Sequence, residues 1–141
     1  MTEPLAYRDL NKLQILCLVQ MAGVLADADT SHSLCESVAK AAEADSPIPV
    51  EIIAIGDPQV VQPRRLTVLV HAAIDDTGGE RRLALTMRPY RPAAAGSDVL
   101  FGAMPRIVGW DDEGARERTI AAALDEILPW RGTPGQVRPL K

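Results

Sequence analysis

Apolar and polar positions alternate most regularly between Arg65 and Pro89. Leu66, Val68, Val70, Ala72 and Ile74 take every second place, so they share one face of an extended strand. After Asp75-Asp76-Thr77-Gly78-Gly79, the residues Leu83, Leu85 and Met87 repeat the pattern. Together these segments predict a β-hairpin. A turn centred on Thr77-Gly78 pairs Ala72 with Leu83, Val70 with Leu85 and Val68 with Met87. A slip of one residue would send an apolar set to the wrong side. Gly78 and Gly79 supply the positive φ of a tight return.

The flanking segments change period. Leu34, Val38, Ala41 and Ala42 fall at i, i+4, i+7 and i+8, which predicts a helix over residues 30–45. Asp29, Thr30 or Ser31 can cap it, and Ser46-Pro47-Ile48-Pro49 stops it. The β-branched run 50–56 (VEIIAIG) reads as a strand, followed by a loop to Pro63. Beyond the hairpin, a loop opens at Tyr90 and Leu100 with Phe101 forms an apolar anchor. Residues 106–110 (RIVGW) give a short fourth strand that Gly109 weakens. Ile120, Ala123, Leu124, Ile127 and Leu128 form the apolar face of a second helix over 113–128, capped by Asp111 or Asp112 and ended by Pro129. Trp130 is expected as a lid on the core edge. Residues 132–141 hold Gly and Pro without apolar periodicity and read as a mobile tail.

The N-terminal stretch divides the readings. Residues 13–25 carry no charge, follow Arg8 and Lys12, and have the length of a signal-peptide core. Ala26 and Ala28 set small residues where a peptidase would cut after Ala28. One reading is a signal peptide over residues 1–28, leaving a domain over 29–131. The other is an N-terminal helix packed on that domain, although apolar residues occur almost all round. The run is too short for a comfortable membrane span.

Taken together, the elements predict an α+β two-layer sandwich. It has an antiparallel sheet of three to four strands and two helices on one face, in the order α-β-β-β-(β)-α. This order resembles the small α/β module that precedes the propeller in TolB-type envelope proteins, a resemblance of architecture that implies no function. The second sheet face stays open, with His71, Thr67, Thr86 and Arg88 as candidate binding residues. Such a face suits a protein partner, or is simply the wet side of the sheet.

Composition narrows the chemistry. Aromatic residues make up 4% of the chain, so the core must be aliphatic. A formal charge of −4 argues against a general nucleic-acid binder, which needs a basic face. There is no glycine-rich phosphate loop and no histidine cluster, so neither cofactor nor metal is expected. Asp76-Thr77-Gly78 resembles the Asp-Thr-Gly of aspartic proteases, and Ile107-Val108-Gly109 resembles the apolar element of their retroviral-type members. That chemistry needs two facing carboxylates sharing one proton, so a single motif would demand a dimer. A solvated turn accounts for the same residues. Cys35 lies three residues after His32 near a helix start, where a thiol can act as nucleophile with the imidazole as base. Its alternative is a small apolar filler. The Cys17 and Cys35 spacing matches no metal signature, and a bridge between them requires that the leader stay.

The expectation is therefore a small exported, periplasmic or secreted, non-enzymatic binding or accessory module. The alternatives are a small enzyme using Cys35 with His32, or Asp76, and a cytoplasmic homodimer joined through the first helix.

Overall fold

The computed structural model describes residues 7–92 and 102–131. One mixed sheet forms the backbone of the fold. Its strands are β1 (Lys12–Met21), β2 (Val24–Leu25), β3 (Val50–Ile53), β4 (Arg65–Asp75), β5 (Arg82–Tyr90) and β6 (Arg106–Gly109). The spatial order is β2-β1-β4-β5-β6, with β3 also on β1, beside β2 on the same edge. Helices α1 (Ala28–Glu43) and α2 (Glu113–Ile127) cover one face.

The central departure from expectation is β1. The uncharged run is neither a helix nor a segment outside the sheet. It is the strand between β3 and β4, parallel to both. Leu13, Ile15 and Val19 are buried on the helix side, each contributing roughly 1.5–3 kcal/mol by leaving water. Leu16 and Leu18 are half-buried on the other side. Apolar residues on both of its faces, interrupted only by Gln14 and Gln20, make the stretch read as a continuous run with the composition of a signal-peptide core. The sheet is accordingly mixed and six-stranded among the described residues, where an antiparallel sheet of three to four strands was expected.

The hairpin forms with both apolar faces as expected and a register two residues away. Ile74 pairs with Leu83, Ala72 with Leu85, Val70 with Met87 and Val68 with Pro89. A step of two keeps every side chain on its own face. The wider return comes from a 3₁₀ turn at Thr77–Gly79, where Gly78 and Gly79 both adopt left-handed φ, +85° and +90°. The centre thus moves from Thr77-Gly78 to Gly78-Gly79.

Helix α1 starts earlier than expected because Asp27 is its cap. The Asp27 carboxylate accepts from Thr30 N at 3.1 Å and from Thr30 Oγ1 at 2.8 Å, which holds its pKa below the usual carboxylate value. Asp112 caps α2 as expected, accepting from Ala115 N at 3.0 Å. Strand β3 ends at Ile53, short of Gly56, and β6 ends at Gly109. Trp130 lies half-buried against the core. The Leu100–Phe101 anchor and the 132–141 tail fall outside the described residues.

Cys17 on β1 and Cys35 on α1 form a disulfide inside this core. It closes a loop of sequence separation 18 and thereby contributes about 3 kcal/mol through the unfolded chain. At the opposite end of the sheet, Tyr7 donates its hydroxyl to Ile127 O at 2.8 Å, tying the N-terminal segment to the end of α2. Burial pushes the Tyr7 phenol up to about 12 from its ordinary value of 10.0.

Two measurements follow. A chain truncated to start at Asp29 lacks β1 and β2 and half of the disulfide. It should show no cooperative melt by circular dichroism, while a native-like melt would show β1 to be dispensable. Because the Tyr7 pKa is raised on folding, its contribution is full below pH 10.0 and is lost as pH rises towards about 12. Tyr7→Phe should therefore lower stability at neutral pH by about 1 kcal/mol and flatten the alkaline decline measured by urea unfolding.

Candidate functional site

The sheet face away from the helices is built by alternate residues of β1, β4 and β5. The registers set Leu16 beside Leu69 and Leu69 beside Arg88, then Leu18 beside His71 and His71 beside Thr86. These side chains, with Gly102 and Ala103, line a groove of about 530 Å³. Its floor is aliphatic, from Leu16, Leu18 and Leu69, and its walls are His71, Thr86 and Arg88. His71 Nε2 lies 2.9 Å from Gln20 Oε1. Ala103 N donates to Met87 O at 2.8 Å, which lays the returning chain along β5. Gly102 permits this approach, since a Cβ there would stand 3.1 Å from both Arg88 Cβ and Met87 O.

Three of the four candidate residues thus meet in one groove. Thr67 does not. The 3₁₀ turn Pro58–Val61 folds over its end of the face, and Thr67 is fully buried. Gln14 Nε2 donates to Thr67 Oγ1 at 3.1 Å and to Gln59 O at 3.1 Å, while Arg65 Nη1 donates to Gln14 Oε1 at 3.0 Å and also to Gln59 Oε1. Thr67 therefore belongs to a closed polar network, so this end of the face is not open. Leu16 and Leu18 are groove residues that the sequence reading missed. Gln14 and Gln20 carried the usable signal, because they share the period-two row of Leu16 and Leu18.

The enzymatic candidates are separated. Cys35 is 4% exposed and bonded to Cys17, so it offers no thiolate. His32 faces solvent and sits 3.2 Å from the Glu36 carboxylate instead. Asp76 is exposed at the hairpin turn, 4.0 Å from Arg81 Nη2. Ile107-Val108-Gly109 lies in edge strand β6, two strands from β4, and pairs with Arg82, Leu83 and Ala84. Among the described residues no group of three or more His, Cys, Asp or Glu is placed to hold a metal ion. No described helix is long and apolar enough to cross a membrane.

No family model matches the chain, and no curated protein matches it. Solved structures do share its fold. PelC from Paraburkholderia phytofirmans, described as a dodecamer, superposes with a TM-score of 0.53 at 17% identity, over 89% of this chain and 95% of that one. A point variant of that PelC dodecamer in another crystal form gives 0.52 at 17% identity, over 87% and 92%. At this identity the likeness is one of fold.

The two threonines on the face should respond differently to loss of their hydroxyls. Thr67→Val leaves one N–H of the buried Gln14 amide without its acceptor and should cost about 1–3 kcal/mol, while Thr86→Val should stay within about 0.5 kcal/mol, both by urea unfolding. Equal costs would show that the Gln14–Thr67 network is not what closes that end of the face.

Proposed function

We propose that this protein is a non-enzymatic binding or accessory module that works outside the cytoplasm as an assembly of identical chains. The observation that carries the reading is the Cys17–Cys35 bridge buried between the sheet and α1. A disulfide built into the core persists in oxidising compartments and is rare where thiols are kept reduced. It also occupies the thiol on which one enzymatic alternative depended. The groove supports binding, because it joins an aliphatic floor to a few polar groups, the usual composition of a recognition site. Assembly is supported by the fold, since the PelC chains of the same architecture are dodecamers.

Fractionation of the native cell with thiol trapping tests this. The chain should be recovered outside the cytoplasm, and neither cysteine should accept an alkylating reagent until a reductant is added. Recovery in the cytosol with Cys17 and Cys35 both alkylated would overturn the reading.

A further inference from the structure

Among the described residues the sheet has two open edges, and they are different. One is formed by β2 and β3, the other by β6. Most of the large apolar side chains left in solvent among these residues sit along the two edges. Val24 (65% exposed), Leu25 (63%) and Ile52 lie on the first edge, with Ile55 just past the end of β3; Ile107 (73%) and Met104 lie on or just before β6. Monomeric proteins guard such edges with free charges, prolines or bulges. Here β2 carries no charge at all. On β6, Arg106 is committed to Glu126, and the neighbouring Arg116 stacks on Trp110 at 4.5 Å. On β3, Glu51 is held by Lys12 at 2.7 Å.

The registers add a geometric match. Leu25 pairs with Gln20, Gln20 with Ala73, Ala73 with Ala84, and Ala84 with Ile107. Leu25 and Ile107 therefore stand at opposite ends of one cross-strand row. The adjacent row runs Val24, Met21, Ile74, Leu83, Val108. A second copy set against β6 at the same height would continue both rows without sliding along the strands.

We propose that copies of this chain join head to tail, the β6 edge of one against the β2 edge of the next, with Ile107 packed on Leu25. The inference rests on the assembly reading above and names its interface. A contact between unlike edges leaves one free edge at each end, so it repeats, and it closes into a ring when the rotation allows. A repeating contact of this kind builds a multimer of many copies, in keeping with the dodecamers of similar fold.

The test is light scattering on the full chain and its variants, with circular dichroism to verify folding. Wild type should run as a closed multimer. Leu25→Lys and Ile107→Glu should each fall to the monomer mass of 15.2 kDa with an unchanged melt, both sites being solvent-exposed. Mixing the two single variants should give dimers or higher species. The intact β6 edge of the first pairs with the intact β2 edge of the second, and the introduced ammonium meets the introduced carboxylate only where unlike edges join. The chain carrying both substitutions should reassemble by opposite charge. A monomeric wild type would overturn the assembly reading itself. A multimeric wild type whose single variants stay multimeric would overturn the edge contact alone. Monomeric single variants that do not associate when mixed would overturn its head-to-tail sense.

Discussion

The structure depends on the parallel pairing of β1 with β4. Ten consecutive positions match, from Lys12 with Arg65 to Met21 with Ile74. A parallel pair has no tight turn to hold it, so its register must come from side chains. On the helix side, Leu13, Ile15, Cys17 and Val19 interlock with Leu66, Val68, Val70 and Ala72 and lie under α1 and α2. On the other side, the Gln14–Thr67–Arg65–Gln59 hydrogen bonds fix one end. A slip of one residue would bury Gln14 among leucines and set Leu13 beneath the 3₁₀ turn, which no partner could repair.

This pairing also explains why the disulfide is where it is. Cys17 points into the core because it falls on the same row as Ile15 and Val19, and Cys35 follows Leu34 on the buried side of α1. The bridge ties the central strand to the helix that covers it. The remaining connections are made at the periphery. Tyr7 holds the N-terminal segment to α2, Arg131 donates to Ala41 O across the helix pair at 2.7 Å, and Glu126 accepts from Met104 N.

With the core committed to one face, whatever recognition the protein performs is left to the groove and the edges. The groove follows from β1 carrying leucines on its second face, which the neighbouring polar residues only partly cover. The edges follow from the sheet being open rather than closed into a barrel, so that among the described residues no strand lies outside β2, β3 or β6.

The sequence by itself determined what local chemistry controls. Alternation from Leu66 to Ile74 and from Leu83 to Met87 determined the hairpin and its faces, and the spacing of Ile120, Leu124 and Ile127 behind Asp112 determined α2. It also brought His71, Thr86 and Arg88 to one side. Only the tertiary structure decided the rest. Residues 12–21 report their period only through Gln14 and Gln20, too sparsely to separate a central strand from an apolar helix until β4 supplies ten partners. Thr67 looked as open as Thr86, because the turn that closes over it arrives from Pro58–Val61, six or more residues away in sequence. The Cys17–Cys35 bridge required β1 and α1 to meet face to face, and no spacing along the chain encodes that meeting.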